Sequence, residues 1–156
     1  MPRRSAGLLL YAVDPGGPRV LLVHPGGPLW AKKDDGAWSI PKGELEEGED
    51  ERTVARREFT EELGSAPPED GWIELGEITQ AGGKRVTAFA VAGDLDAGAI
   101  SSNLFVLEWP PRSGRRSQFP EVDRAAWFSL RSARPKLVAA QAALLDRLAD
   151  ALAGSG

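Results

Sequence analysis

The residues best suited to chemistry lie in one acidic segment, Gly43 to Ser65, which reads GELEEGEDERTVARREFTEELGS. Nine acidic residues stand there against three arginines, a net charge of −6 in a chain whose whole charge is −4. On a helix that turns about 100° per residue, Glu58, Glu61 and Glu62 fall within an arc of roughly 100°. Carboxylates at this spacing repel one another, so we expect a cation to offset their charge.

Two explanations fit this carboxylate cluster. In the first, the helix presents an ordinary solvated acidic face on which Arg57 pairs with Glu61. In the second, the cluster binds a divalent cation, because Mg²⁺ and Mn²⁺ prefer oxygen ligands and typically join one or two carboxylates to substrate phosphates. The hexamer REFTEE by itself leaves both explanations open.

The elements around the cluster are predicted from periodicity and from turn residues. A helix is expected from about Asp50, a favourable N-cap, to Leu63, where Gly64 ends it. An amphipathic closing helix is expected over Leu137 to Leu152. Apolar segments predict strands at Leu8 to Val13, Arg19 to Val23, Trp72 to Thr79, Arg85 to Val91, Leu104 to Trp109 and Ala125 to Phe128, the first two and the middle two as strand pairs.

This order of strands and helices favours an α/β (α+β) fold in which helices cover a sheet. The chain has 156 residues, of which 42% are hydrophobic and 27% are charged. These values are typical of a globular protein of one domain, so we predict a single domain over residues 1–156.

The composition excludes several classes of protein. A chain without cysteine has no disulfide scaffold, thiolate metal site or cysteine nucleophile, and its single histidine excludes clusters of several histidines on a metal. No apolar run approaches the roughly 18 residues of a membrane span. We therefore expect a cytoplasmic protein without a membrane partner, and the net negative charge argues against nucleic acid as a partner.

A longer spacing surrounds the carboxylate cluster. Gly43 is followed after five residues by Glu49 and, after seven more, by Arg57 in the run REFTEELG. This pattern resembles the Nudix box, Gly-x5-Glu-x7-Arg-Glu-U-x-Glu-Glu-x-Gly-U with U bulky and apolar, and only the last position, here Ser65, departs from it. The resemblance implies a Nudix-type α/β/α sandwich, with a mixed sheet between helices, over most of the chain.

The resemblance also implies a reaction. In Nudix enzymes, water attacks a phosphorus of a nucleoside diphosphate linked to another group, while divalent ions hold the diphosphate oxygens. Carried over to this chain, Mg²⁺ or Mn²⁺ is the cofactor, and the metal ligands are Glu58, Glu61, Glu62 and the backbone carbonyl of Lys42. One of the glutamates is a candidate base for the attacking water.

Two further features resemble supporting parts of a Nudix site. Arg57 and Glu49 resemble an ion pair that aims the loop at the helix, although an ordinary surface pair has the same sequence. Glu121, in FPEVD, resembles the additional carboxylate that many members place opposite the box, and a solvated loop acid is the alternative.

The substrate is predicted from residues that suit phosphates and bases. The entry PKGE at residues 41–44 resembles the dinucleoside polyphosphate branch, in which cations meet the extra phosphates. Candidate binding residues are Lys42, Trp38, Arg112, Arg115 and Arg116. Trp30 is a further residue able to stack on a base. We expect His24 to form hydrogen bonds at a strand end and not to act as a catalyst.

The predicted function is therefore Mg²⁺-dependent hydrolysis of a phosphoanhydride bond in dinucleoside polyphosphates or nucleoside triphosphates. Alternatives within the family are ADP-ribose, the 5′ ends of RNA and diphosphoinositol phosphates. A different class of function is a Nudix module that senses a nucleotide without cleaving it. We expect a small-molecule nucleotide as partner, and a monomer or a homodimer.

Overall fold

A six-stranded sheet forms the centre of the molecule. The computed structural model describes residues 3–154. Its strands are β1 (Arg4–Asp14), β2 (Gly17–Pro25), β3 (Lys42–Glu44), β4 (Ile73–Thr79), β5 (Arg85–Ala92), β6 (Leu104–Glu108), β7 (Arg116–Pro120) and β8 (Val122–Ser129). Its α-helices are α1 (Glu51–Leu63), α2 (Leu130–Lys136) and α3 (Ala142–Gly154), and short 3₁₀ turns occur at Ala81–Gly83, Ala97–Ala99 and Ala139–Gln141.

The main sheet has the order β4-β5-β1-β2-β8, and β3 pairs separately with β1. β1 runs parallel to β5 and antiparallel to both β2 and β3, so the predicted mixed sheet is confirmed. The two predicted strand pairs, β1–β2 and β4–β5, are also confirmed as antiparallel. Through the pairing of Lys42 with Gly7, the start of the acidic segment is fixed to the central strand.

Side chains of β1 alternate between two hydrophobic cores, as they must on a pleated strand. Leu8 and Leu10 pack with Phe59 and the rest of the apolar face of α1. Leu9 and Tyr11 belong to the other core, to which α3 contributes Leu144, Leu145 and Leu148. One helix therefore covers each face of the sheet, and the predicted α/β/α sandwich is confirmed.

Helix α1 begins and ends as its sequence predicts. The Asp50 side chain accepts a hydrogen bond from the Thr53 backbone N–H at 3.1 Å, which satisfies a donor of the first turn. Gly64 adopts a left-handed conformation with φ of 81° and donates its N–H to the Thr60 carbonyl.

Over residues 3–154, no helix has both the length and the apolar character needed to cross a membrane.

The predicted closing helix over Leu137 to Leu152 is wrong at its start, because α3 begins at Ala142. The Lys136 carbonyl accepts the Trp38 N–H at 2.9 Å, and the Val138 N–H donates to the Trp38 carbonyl at 2.9 Å. This bridge to Trp38 holds Leu137 in an extended conformation that a helix does not allow. The short helix α2 just before it, capped by Ser129, was not predicted.

A buried glutamine at the N-terminal end of α3 joins three parts of the fold. Gln141 is fully buried, and its Oε1 accepts the Ile40 backbone N–H at 2.9 Å. Its Nε2 donates to Ser39 Oγ at 3.0 Å and to Gln80 Oε1 at 2.9 Å. The chain just before Lys42 is thereby held by a residue about one hundred positions later.

Strands β6 and β7 form a separate two-stranded sheet. The pair begins where Leu104 lies opposite Pro120 and ends where Glu108 lies opposite Arg116. Residues 110–117 read PPRSGRRS, a composition that predicts a loop, but Arg116 and Ser117 belong to β7, because their register with β6 extends the ladder. The connecting loop is therefore shorter than expected.

Candidate active site

The carboxylates of α1 meet the backbone of β3. Glu62 is 8% exposed, and its Oε2 accepts the Lys42 backbone N–H at 3.1 Å. Glu58 packs directly against Gly43, where an added Cβ would lie 2.0 Å from Glu58 Oε1. Gly43 is therefore needed for close approach of the two elements, because any side chain at this position would occupy the place of the Glu58 carboxylate.

Burial and mutual repulsion perturb the protonation of these acids. Burial, followed by the negative charge of Glu61, raises the pKa of Glu58 to about 7. Burial, followed by the charge of Glu58, raises the pKa of Glu62 to about 8, although the Lys42 N–H opposes this shift. Two carboxyl groups that hold protons near neutral pH lack a compensating cation, which is the condition under which a divalent ion is most effective.

These pKa values predict how the stability of the metal-free protein changes with pH. An acid whose pKa is higher in the folded state binds more protons when folded, so the free energy of unfolding falls as pH rises. The fall should extend from about 4.5, the ordinary pKa, to about 8 for Glu62. Thermal unfolding with a chelator across this range tests it. A melting temperature that rises steadily toward pH 8 would contradict the perturbed carboxyl groups.

The predicted Arg57–Glu49 pair is present. Arg57 donates to both carboxylate oxygens of Glu49, at 2.5 and 3.4 Å. Glu49 also accepts the Glu46 backbone N–H at 2.8 Å, and the hydrogen bond from Arg57 lowers the pKa of Glu49 below its usual range. The pair therefore ties the loop before α1 to the helix turn that carries Glu58. Its importance for activity stays a prediction.

Glu121 reaches the same region through a strap of backbone hydrogen bonds. The N–H groups of Ser101 and Asn103 donate to the carbonyls of Leu63 and Glu61, at 3.1 and 2.9 Å, and the Glu121 N–H donates to the Asn103 carbonyl at 2.8 Å. Burial, then the charge of Glu61, raises the pKa of Glu121. No residue pattern predicts this strap, which places Glu121 across from α1.

Comparison with known proteins addresses the resemblance of the acidic segment. The family model described as NUDIX domain matches residues 1–148 of the chain. The chain belongs to the Nudix family. Gly43, Glu49, Arg57 and three glutamates of α1, namely Glu58, Glu61 and Glu62, match the fixed positions of the Nudix box pattern.

One similar protein in sequence is the RNA pyrophosphohydrolase of Caulobacter vibrioides. It is 38% identical over 64 residues, which cover 35% of this chain and 37% of that protein. The match therefore spans little more than a third of this relative's length.

Two solved structures share the Nudix fold over nearly the whole chain. The Ap4A hydrolase of C. elegans, solved as a binary complex, has a TM-score of 0.66 at 22% identity and covers 96% of this chain and 98% of its own. The NUDIX domain of Shewanella oneidensis NrtR, solved with ADP ribose, has a TM-score of 0.66 at 15% identity and covers 97% and 89%. At these identities the likeness establishes the fold.

The donor set of the Nudix box fits a hard divalent cation. Glu58 and Glu62 offer carboxylate oxygens, and their neighbourhood supplies too little positive charge to keep both ionised near neutral pH. Among the described residues, no three histidine or acidic side chains form a preformed metal cage. Mg²⁺ needs no such cage, because it is usually bound by one or two carboxylates together with water and substrate phosphates.

Lys42 contributes more than its backbone. Its side chain lines a cavity of about 230 Å³ together with Glu62 and Glu121. Burial, then the charge of Lys84, lowers the pKa of the Lys42 ammonium. A contact between the Lys42 ammonium and a phosphate stays a prediction.

Trp38 does not fit its predicted role in stacking on a base. Its ring is 4% exposed, and the rings of His24 and Phe128 pack edge-on against it, each with centroids 5.2 Å away. Its indole N–H donates to Asp34 at 2.8 Å. We therefore correct the interpretation: Trp38 is a core residue, because apolar packing and the bridge to Leu137 take up its surface.

His24 forms hydrogen bonds at the end of β2, as expected. It is fully buried, with Nδ1 2.9 Å from an Asp123 carboxylate oxygen and Nε2 2.6 Å from the Lys33 carbonyl oxygen. Its ring therefore ties the loop after β2 to the start of β8.

The three arginines predicted to bind phosphates, Arg112, Arg115 and Arg116, lie at the tip of the β6–β7 hairpin. Arg112 and Arg115 are exposed in the connecting loop, and Arg116 pairs with Glu108 at the outer end of the ladder. Four residues of strand, about 14 Å, separate this end from Pro120 beside Glu121. The arginines do not line the cavity beside Lys42 and Glu62. Their role in binding long polyphosphates stays a prediction.

Proposed function

We propose that this Nudix protein is a pyrophosphohydrolase that uses Mg²⁺ or Mn²⁺ to cleave a phosphoanhydride bond of dinucleoside polyphosphates or nucleoside triphosphates. The observation that carries the proposal is the meeting of Glu58 and Glu62 with the backbone of Lys42 and Gly43. This meeting joins both ends of the Nudix box in one partly buried site. We expect a small-molecule substrate and a cytoplasmic enzyme that works as a monomer or homodimer.

Different residues would bind the cation, bind the phosphates and accept the proton of the attacking water. The Glu58, Glu61 and Glu62 carboxylates and the Lys42 carbonyl would hold the cation, which when bound neutralises charge on phosphoryl oxygens and lowers the pKa of coordinated water. The Lys42 ammonium donates hydrogen bonds to phosphate oxygens. Water attacks one phosphorus, the P–O bond of the anhydride breaks, and a carboxylate of the cluster accepts the water proton.

This proposal predicts a requirement for divalent cations and a rise of activity with pH. Glu58 and Glu62 must lose their protons to bind a cation, so Mg²⁺ should bind more weakly as pH falls below their pKa values of about 7 and about 8. Phosphate release should be measured on a nucleotide panel over pH, with and without a chelator. Turnover that survives exhaustive chelation would overturn the proposal.

A second candidate substrate is the triphosphorylated 5′ end of RNA. The observation in its favour is the 38% identity over 64 residues with an RNA pyrophosphohydrolase. The net charge of −4 works against it, because binding of a longer RNA relies on neutralising many phosphates. Including a 5′-triphosphorylated oligoribonucleotide in the panel decides between the two. Its kcat/KM should be lower than that of the dinucleoside polyphosphate.

A further inference from the structure

A second cavity, of about 350 Å³, adjoins the carboxylate site. It lies between the loop after β2 and the hairpin β6–β7, and it shares Trp30 and Glu121 with the cavity that Lys42 and Glu62 line. Its volume lies within the range of about 300–1,000 Å³ that is usual for small-molecule sites. A ligand with its phosphates at Lys42 therefore has a neighbouring space for the group that the phosphates carry.

The walls of this cavity are apolar and partly aromatic. Trp30 is 38% exposed and Leu29 is 60% exposed, and both residues line the cavity. The Lys33 ammonium lies 4.9 Å from the centroid of the Trp30 ring and braces the indole from the loop side. The buried His24 ring beneath holds the Lys33 carbonyl, so the loop that carries Trp30 is anchored at both ends.

The opposite wall comes from β6. Phe105 and Leu107 line the cavity, whereas the alternate residues Leu104 and Val106 are 56% and 55% exposed on the other face of the hairpin. The Phe105 ring touches Gly27, whose φ of 94° suits glycine and where an added Cβ would lie 2.9 Å from Cζ. The Phe105 ring also packs against Phe119, with centroids 6.1 Å apart, so the loop and the hairpin hold it in the wall of the cavity that Trp30 also lines.

The aromatic side chains of the lining suit a flat aromatic group. Every nucleobase has a flat aromatic face that can stack on such side chains, whichever base it is. Discrimination between bases needs polar side chains aimed at their edges, and the only charged side chain on the lining is Glu121, at the border with the phosphate side. A site built in this way should bind bases strongly and select among them weakly.

We propose that this cavity binds the nucleobase of the substrate by stacking between Trp30 and Phe105, with little preference for one base. The inference rests on the proposed function, since it places the base of the nucleotide whose phosphates reach the Nudix box. The bound nucleotide then runs from the aromatic cavity past Glu121 to Lys42 and the carboxylates of α1.

The test compares a nucleotide with the same phosphate chain without a base. In Trp30→Ala and in Phe105→Ala, the KM for ATP should rise about 5- to 150-fold, the range expected for loss of one stacked base. In Phe105→Ala the inhibition constant of inorganic triphosphate should stay within about twofold, because Phe105 lines the aromatic cavity and does not line the cavity beside Lys42. Trp30→Phe should restore most of the affinity for ATP, and ATP, GTP, CTP and UTP should differ in KM by less than about tenfold.

Leu104→Ala is the matched control, because Leu104 neighbours Phe105 but faces the other side of the hairpin. Unchanged KM values in both cavity variants, or equal changes for ATP and triphosphate in Phe105→Ala, would overturn the proposed base site while leaving hydrolysis intact. A strong preference for one of the four nucleotides would overturn its tolerance of bases. If the protein hydrolyses neither these nucleotides nor dinucleoside polyphosphates, the proposed function fails, and calorimetry with ATP and triphosphate in Mg²⁺ still tests the cavity by the same comparison.

Discussion

Glu62→Gln should lower kcat by at least about 10²-fold, the scale of losing one preorganised electrostatic group. The amide keeps the shape of the side chain, and its oxygen still accepts the Lys42 N–H, but the negative charge that a divalent cation needs is gone. The fold should persist. Above about pH 8 the metal-free variant should be more stable than the parent, because the parent then carries a buried charge next to Glu58. Steady-state kinetics and thermal unfolding measure the two effects.

Glu47→Gln is the control for this substitution. Glu47 is exposed and belongs to the same acidic segment, but it lies outside the fixed positions of the Nudix box. Its turnover should stay within a few-fold of the parent, and the gain in melting temperature on adding Mg²⁺ should be unchanged. In Glu62→Gln this gain should shrink. Equal and mild effects in both variants would show that α1 presents a solvated acidic face.

Gly43→Ala should abolish most of the activity without unfolding the protein. The new Cβ would stand 2.0 to 2.5 Å from the end of the Glu58 side chain, which must rotate away. Because Glu58 is flexible and Gly43 has no left-handed backbone conformation, the cost in stability is small. A catalytic group displaced by about 1 Å can cost about 10²-fold in rate, so we expect a fall in kcat of that order.

Gly154→Ala provides the comparison for this glycine substitution. Gly154 ends α3, and nothing lies within 4 Å of an added Cβ there, so activity should match that of the parent. Thermal unfolding separates the possible causes of a loss of activity in Gly43→Ala. A melting temperature many degrees lower would mean that the strand pairing of β3 has broken. Full activity would mean that the position of Glu58 is unimportant.

Local signals explain what was predictable. The Asp50 cap, the periodicity of α1 and the Gly64 stop lie within fifteen consecutive residues, so the helix and the placement of its glutamates follow from neighbours in the chain. The Nudix box pattern also singled out Gly43, but only the structure explains why a glycine is needed there. The Glu58 carboxylate occupies the space that a side chain at position 43 would fill. Paired apolar strands likewise predicted the layers of the fold.

Long-range contacts explain what was not predictable. The sequence leaves open whether Trp38 stacks on a base or packs in the core. Phe128 and Leu137, both about a hundred residues away, bury it. The predicted start of the closing helix was wrong for the same reason. Leu137 fits the helical periodicity, but its pairing with Trp38 keeps it out of α3. The strap at Ser101 and Asn103 could not be predicted from residue types, because its hydrogen bonds are made by the backbone.

The buried Gln141 has a consequence for the order in which the protein folds. It fixes Ser39 and Ile40, which lead into Lys42, and Trp38 pairs beside it with Leu137. Contacts of such large sequence separation close late, because the entropy of a long loop must be overcome first. During synthesis, the box helix and its strands can therefore assemble while the entry to the site is still unsupported. The entry to the site should gain its support only when residues 137–141 have been synthesised and have docked against Trp38, Ser39 and Ile40.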